Sequence, residues 1–157
     1  MNRAAQFSAA YAALTAAHEV ADHIVQVDRD AVAKGRHGAE GRTACLRHVA
    51  SYTATQALAL AAADRGLGLR LNWRYATAGL LVSAATHYGA DRSGGRWAED
   101  PDKQPTTRMV RAARATGHSG WLERDPNAGY RIDQAWHKGW IAIAAGVVAM
   151  GGREARS

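Results

Sequence analysis

The sequence predicts an all-helical domain, and its composition supports this class in two ways. Among its 157 residues there are 36 Ala, whereas Val, Ile and Leu together number 23. Alanine is the strongest helix former, and the branched and aromatic residues that favour strands are scarce. A chain of this length usually forms one domain. We therefore expect a single helical domain over residues 1–150 and a charged tail over residues 151–157.

Runs of helix-forming residues, separated by glycines, predict where the helices lie. Glycines end the first two runs, because glycine interrupts helices and readily takes the left-handed cap conformation. Asn72 can cap the third run, and Thr106 or Thr107 can cap a short fourth one. The expected helices are four long ones at about 4–33, 43–64, 73–91 and 130–150 and a short basic one that ends near residue 115.

Loops of moderate length are expected between these helices. One covers residues 94–105, and a second covers residues 117–129, where Asp125-Pro126-Asn127 indicates a turn. Four long helices joined in this way predict a bundle, with the short basic helix between the third and fourth long ones. Gly139 and Gly146 lie seven residues apart on one helical face, and we expect them to permit a close helix contact.

The charge balance favours anionic partners. The chain has 20 Lys and Arg against 14 Asp and Glu, a formal net charge of +6. Basic proteins attract polyanions, so an anionic small molecule and nucleic acid are the favoured partner classes. A single Cys excludes a disulfide within the chain.

The uncharged stretches predict no membrane span. All of them are shorter than the roughly 20 apolar residues that a spanning helix needs. The Ala-rich stretch after Arg3 is too weakly apolar for a typical secretory signal. We expect a cytoplasmic protein, and the sequence leaves homo-oligomer formation open.

Histidine and aspartate recur one helical turn apart on the long helices. Residues spaced by four lie on the same face of a helix. The first helix has His18, Asp22 and Gln26 at this spacing, the second has His48 and Tyr52, the third has His87 and Asp91, and the last has Asp133 and His137.

Such a set predicts a metal site inside the bundle. Imidazole and carboxylate are good ligands for divalent metals, and inward ligands from facing helices are an established arrangement for dinuclear sites. The seven candidate ligands are His18, Asp22, His48, His87, Asp91, Asp133 and His137. Because one zinc uses about four ligands, we expect two ions of zinc, manganese or iron with one bridging Asp. Gln26 and Tyr52 are expected to orient an imidazole or hold a bound water.

The order of these motifs resembles a family of small, uncharacterised bacterial and phage helical proteins, a domain of unknown function. Its members typically show H-x3-D-x3-Q, a central His, H-x3-D, and D-Q-x2-H near the end. The matching residues here begin with Ala17-His18, continue through Lys34 and Leu46-x-His48, and end with Ile132-Asp133-Gln134-x2-His137. Many members are more apolar and look membrane-embedded, whereas this chain has Ala and charged residues instead. The resemblance implies a shared polar centre and no particular substrate.

A dinuclear site predicts a metal-dependent hydrolase, because paired ions activate water and stabilise the charge that develops on an ester or phosphoryl oxygen. Asp22, Asp91 or Asp133 could then act as a catalytic base. Arg92, Arg108 and Arg111 are candidates for binding a phosphorylated or nucleotide-like substrate, since arginine matches phosphate oxygens.

The alternative prediction is a non-catalytic basic module. There, a structural metal or a polar core would stabilise the helices, and the surface would bind nucleic acid or a protein partner. The His and Asp pairs would in that case include ordinary helix-stabilising pairs, and the arginines would form a solvated basic face.

Overall fold

The computed structural model of the protein describes residues 2–92 and 107–152, and every regular element in these ranges is helical. The all-helical class is therefore confirmed for this part of the chain. In chain order the elements are α1 (Arg3–Val20), a π-helical turn (Ala21–Val25), α2 (Asp28–Ala33), α3 (Gly38–Leu67), α4 (Trp73–Asp91), α5 (Arg108–Ala115), α6 (Ser119–Arg124) and α7 (Ala128–Met150).

The first predicted helix is divided into three pieces. After α1 the chain forms the π-helical turn, closed by Gln26 N donating to Ala21 O at 2.9 Å. Gln26 and Val27 are then extended, with ψ of 128° and 145°, and α2 follows. No Gly or Pro marks this break, so the run of helix formers predicted one continuous helix. The branched residues around it are weak helix formers, and they allow the interruption.

Other boundaries also differ from the sequence prediction. Helix α3 begins at Gly38 instead of near residue 43, and α6 lies within the predicted loop 117–129. Thr107 caps α5 by accepting from Val110 N at 3.2 Å. The predicted loop 94–105 and residues 153–157 of the predicted tail lie outside the described residues.

The four long helices contact one another in a ring: α1 touches α3 and α7, and α4 touches the same two helices. Neighbours in the ring run antiparallel. Near the start of α1, Gln6 Nε2 donates to Leu69 O just beyond α3 at 2.9 Å. Arg3 Nε donates to Gly152 O beyond α7 at 3.2 Å. The ring thus places the C-terminal half of α1 beside the N-terminal halves of α3 and α7.

The closest approach of α4 and α7 is at Gly79. A Cβ built on Gly79 would lie 2.7 Å from both Ala144 O and Val148 Cγ2, nearer than a side chain tolerates. The prediction that Gly139 and Gly146 permit a close contact is wrong, because no described atom lies within 4 Å of a Cβ built on either. The required glycine lies on the facing helix.

Small residues let these helices approach, and the apolar core is correspondingly narrow. It consists of Ala10, Leu14, Leu60, Leu69, Leu71, Ala76, Leu80, Ile141, Ala144, Ala145 and Val148. A second, smaller cluster of Val110, Leu122 and Ala128 joins α5 and α6 to the start of α7. Within 2–92 and 107–152, no helix combines the length and apolar character needed to cross a membrane.

Candidate metal centre

The two halves of the helix ring differ in character. The half where α1 and α4 begin and α3 and α7 end holds the apolar core. The other half holds imidazoles and carboxylates from all four long helices and the π-helical turn. The relative exposures of His18, His48, His87 and His137 are 0%, 2%, 1% and 3%. Four imidazoles are thus removed from solvent in one region.

Four side chains form a compact set, which we call the inner group: Asp22, His48, His87 and Asp91. His48 Nε2 and His87 Nε2 are 2.8 Å apart. Asp22 Oδ1 lies 3.3 and 3.5 Å from these two nitrogens. Asp91 Oδ2 lies 3.5 and 3.4 Å from the same pair. Asp22, His48 and His87 could hold a metal ion.

These distances are close to those between ligands of one ion. Donor atoms about 2.0–2.1 Å from a tetrahedral zinc lie about 3.3 Å from one another. The four nitrogen–oxygen distances of the inner group match this spacing. The nitrogen pair is closer, and it would have to open by about half an ångström to accept an ion.

A second set adjoins the inner group, and we call it the outer group: His18, Asp133 and His137. Single ligand atoms of His18, His137 and His87 all lie within 4.8 Å of one another, so His87 borders both groups. His18 Nδ1 is 3.6 Å from Asp22 Oδ2, and His137 Nε2 is 3.5 Å from Asp133 Oδ2. Asp22 therefore has Oδ1 beside the inner group and Oδ2 beside the outer group, as a bridging carboxylate would.

Gln134 fixes the orientation of His18. His18 Nε2 lies 3.0 Å from Gln134 Oε1, which can only accept a hydrogen bond. The proton of a neutral His18 is therefore on Nε2, and its Nδ1 presents a lone pair beside Asp22. This is the role of the outer hydrogen bonds that set the tautomer of metal-binding histidines.

Several buried polar atoms of this region have no hydrogen-bond partner among the described residues. They are His18 Nδ1, His48 Nδ1, His87 Nδ1, Asp22 Oδ1 and Asp91 Oδ2. Buried polar atoms are normally satisfied, because leaving one without a partner costs about 1–3 kcal/mol. Metal ions beside the two groups would satisfy His18 Nδ1 and both carboxylate oxygens. The donor set fits a divalent cation on this ground and on its chemistry.

Two imidazoles and two carboxylates of the centre favour the protonation states in which they can bind a metal. Burial lowers the pKa of His18 and of His87, which favours neutral imidazole. Burial alone would raise the pKa of Asp22, but its contacts with the neighbouring imidazoles and with Lys34 lower it to about 2. The same opposition lowers the pKa of Asp91. Neutral imidazoles beside ionised carboxylates are ready to bind a cation.

Lys34 is a site residue to which the sequence analysis assigned no role. Its Nζ lies 2.9 Å from Asp91 Oδ1, so the other oxygen, Oδ2, is the one beside the histidines. The same Nζ donates to Gln26 Oε1 at 3.5 Å. Gln26 therefore contacts Lys34, and its role in orienting an imidazole or holding a bound water stays a prediction. The interruption before α2 separates Gln26 from the helical face of His18 and Asp22.

Tyr52 contacts an imidazole through its ring. Its ring stacks on His87 with centroids 3.9 Å apart and an interplanar angle of 21°. Its hydroxyl lies 2.9 Å from Ser83 Oγ and accepts from Gln56 Nε2 at 2.8 Å. That Tyr52 orients an imidazole or holds a bound water stays a prediction. Burial raises the pKa of Tyr52, so the phenol stays neutral. The two hydrogen bonds fix the Tyr52 hydroxyl, and the Tyr52 ring in turn packs against one face of His87.

The predicted substrate-binding arginines are placed differently from one another. Arg92 NH1 donates to Lys34 O at 2.7 Å and also to Arg36 O, so it ties the end of α4 to the connection between α2 and α3. Arg108 and Arg111 are exposed on α5, which packs against α6 and α7. Through these two bonds, Arg92 reaches the segment that carries Lys34.

Gln134 and Lys34 are the two residues that sequence reasoning missed. Both lie among the motifs described in the sequence, at Asp133-Gln134 and between the first two histidine motifs. Their presence there was the available signal, but amide and ammonium groups are too common in helices to suggest a role from spacing alone.

Known proteins supply no guide to this centre. Comparison of the chain with models of protein families, with curated proteins and with solved structures found no match.

Proposed function

We propose that this protein is a metal-dependent hydrolase, with two divalent ions inside a four-helix bundle and a phosphorylated or nucleotide-like substrate. The observation that supports it best is the approach of two carboxylates to a pair of imidazoles in the inner group, with nitrogen–nitrogen and nitrogen–oxygen distances of 2.8–3.5 Å. The outer group lies directly beside it and shares Asp22. Zinc, manganese and iron all accept this mixture of nitrogen and oxygen ligands.

Two ions fit the ligand supply better than one. In this proposal, Asp22 Oδ1, His48, His87 and Asp91 hold the first ion, while Asp22 Oδ2, His18 and His137 hold the second. When bound, a pair of divalent ions supplies activation of water for hydrolysis and positive charge that stabilises the transition state. The protein's own residues then have to position the substrate and accept a proton.

Asp133 is our candidate for the proton acceptor. Its side chain is 19% exposed, compared with 11% for Asp22 and 7% for Asp91, so it borders the side of the centre that solvent reaches. Its Oδ2 lies 3.5 Å from His137 Nε2, which keeps it beside the outer group. A general base must lie within reach of the proton that it takes, and Asp133 is the carboxylate best placed for this. Asp22 and Asp91 are occupied by the imidazoles and Lys34.

Arg92, Arg108 and Arg111 remain proposed contacts for a phosphate-bearing substrate. The similarity to the uncharacterised helical family and a cytoplasmic location belong to the same proposal. The net charge of +6 supports an anionic substrate or partner in general terms.

The second candidate is a structural metal in a non-catalytic basic module. The near-complete burial of the four imidazoles favours it, since structural sites are closed whereas catalytic sites keep an open position. The partial exposure of Asp22 and Asp133 favours the hydrolase. The two candidates differ in what chelation does: it should abolish turnover in the first and unfold the helices in the second.

Metal content and turnover test the proposal together. Protein purified without a histidine tag should contain or rebind about two equivalents of zinc, manganese or iron. It should hydrolyse a panel of phosphomonoesters and phosphodiesters in a metal-dependent way. The variant His87→Ala should lose metal and turnover, because His87 borders both groups.

The matched control is His118→Ala. His118 is exposed, and its Nδ1 lies 3.2 Å from Ala113 O, away from the centre. This variant should keep both metal and activity. Failure of the wild-type protein to bind any divalent metal would remove the proposal, and metal binding without turnover on any ester would favour the structural candidate.

A further inference from the structure

We propose that the two metal positions are unequal: the inner one is filled first and held permanently, whereas the outer one exchanges and receives the anionic oxygen of the substrate. This inference rests on the proposed dinuclear site and assigns a different task to each half of it. It follows from the number of ligands, their burial and the charge around each group.

The inner position is saturated by protein atoms. Asp22 Oδ1 and Asp91 Oδ2 each lie within 3.5 Å of Nε2 of both His48 and His87, so in this proposal the inner ion takes one atom from each of four side chains and needs no further ligand. Three of the four are at most 7% exposed, and Lys34 holds the remaining oxygen of Asp91. These ligands come from α3, α4 and the π-helical turn, so an ion here joins three parts of the chain.

The outer position has fewer protein ligands and more access. The second ligand set is His18, His87 and His137, and Asp22 Oδ2 lies 3.6 Å from His18 Nδ1. With His87 assigned to the inner ion, three donors remain in this proposal, and a three-ligand ion keeps a place for water or substrate. Asp133, the most exposed carboxylate of the centre, lies beside it. The residue that fixes this position is Gln134, through its bond to His18 Nε2. No corresponding bond is described for the Nδ1 atoms of the inner histidines.

The charge of the loaded centre selects an anion. Three carboxylates are opposed by the ammonium of Lys34 and by two divalent cations, which leaves two positive charges when the imidazoles are neutral. The open side belongs to the outer position, so a phosphate or similar oxyanion would bind there.

Cobalt titration of the metal-free protein tests the inequality. Co²⁺ replaces zinc and reports its coordination through visible absorption. We expect two resolved binding steps in calorimetry, with the intense absorption of four-coordinate Co²⁺ appearing in the first. Inorganic phosphate should change the spectrum only after the second equivalent has been added.

Gln134→Leu is the variant that separates the positions. Loss of a bond that orients a ligand typically weakens metal binding about 10–100-fold. We expect this weakening in the second step alone. The matched control is Gln6→Leu: Gln6 is also a buried glutamine on a long helix, it donates to Leu69 O, and it lies twelve residues before His18 at the opposite end of α1. Both steps should be unchanged in this control.

Each result decides between the alternatives. Two equal steps, weakening of the first step by Gln134→Leu, or a phosphate effect at one equivalent of Co²⁺ would overturn the inequality and leave the hydrolase proposal standing. Binding of a single equivalent would also overturn it. Absence of any Co²⁺ binding would instead remove the dinuclear site itself. The phosphate experiment uses the wild-type protein, so it decides even if Gln134→Leu does not fold.

Discussion

Adding one methyl group at Gly79 should separate the two helices that carry His87 and His137. The built Cβ would lie 2.7 Å from Ala144 O and Val148 Cγ2, whereas ordinary contacts begin near 3.4 Å. One of the two contacts is with backbone, so rotation of a side chain cannot relieve it. Helix α4 or α7 must move by several tenths of an ångström.

The expected cost follows from two opposing effects. Overpacking of this kind costs about 1–3 kcal/mol. Replacing glycine by alanine inside a helix recovers about 1 kcal/mol. We therefore expect Gly79→Ala to lower the free energy of unfolding by up to about 2 kcal/mol, which corresponds to a midpoint up to about 8 °C lower for a chain of this size.

Gly146→Ala is the control, because Gly146 is also inside a long helix but has no described atom within 4 Å of its built Cβ. It should raise the free energy of unfolding by about 0.5–1 kcal/mol through helix propensity alone. Thermal and urea unfolding of the metal-free variants measure both effects. If Gly79→Ala stabilises the protein as much as Gly146→Ala does, the close approach of α4 and α7 is refuted.

Three further predictions concern the polar half of the molecule. A divalent metal at about a thousandfold excess over its dissociation constant should add about 4 kcal/mol to the free energy of unfolding and raise the thermal midpoint by about 8–16 °C. A thermal midpoint that EDTA does not change would contradict a bound ion. In the metal-free protein, burial lowers the pKa of His18 and of His87, and the pKa of Asp22 falls to about 2 because its imidazole and Lys34 contacts outweigh burial. The unfolded chain therefore binds more protons than the folded one. Urea unfolding should show the free energy of unfolding falling as the pH drops below about 6.5, where the histidines of the unfolded chain protonate, and again below about 4, where its aspartate protonates. A rise in stability over either range would count against these pKa shifts. Arg92→Ala leaves two carbonyl groups without their donor and should lower the free energy of unfolding in urea by about 1–3 kcal/mol. Arg108 is exposed, so Arg108→Ala should change it by less than about 0.5 kcal/mol. Equal effects of the two substitutions would argue against a structural role for Arg92.

The helical class and the positions of most long helices could be predicted from the sequence. Alanine content fixes the class, and Asn72 marks the start of α4, where its side chain accepts from Arg74 N. Gly68 ends α3 with a φ of 60°, as its position after the helix formers predicts. Signals of this kind are local, so they are readable without the rest of the chain.

The grouping of the candidate ligands was accessible for a related reason. Spacing by four places His87 and Asp91 on one face of a helix. Such faces on several helices of a bundle can turn inward and form one polar cluster. The pairing across helices, such as His48 with His87, depends on the vertical register of α3 against α4, which no local pattern encodes. The ring arrangement supplies that register.

What the sequence could not supply was the break after α1. The π-helical turn has no Gly or Pro, and the break lets α2 pack against α3, where Asp30 pairs with Arg47. The packing of α2 on α3 is a tertiary contact, which no local sequence pattern encodes. It brings Lys34 to Asp91 and to Gln26.

The wide turn at Ala21–Val25 makes chain length at this point critical. A π-helical turn holds one residue more than a regular α-helical turn would, so deleting Ile24 could restore ordinary helical winding without unfolding α1. The same deletion would shorten the chain between Asp22 and Lys34 by one residue and would remove the wide turn that directs it towards α3. The ion pair between Lys34 and Asp91 would then be lost. Relatives that carry the centre should therefore conserve the number of residues between His18 and Lys34 more strictly than the identities of the residues in between.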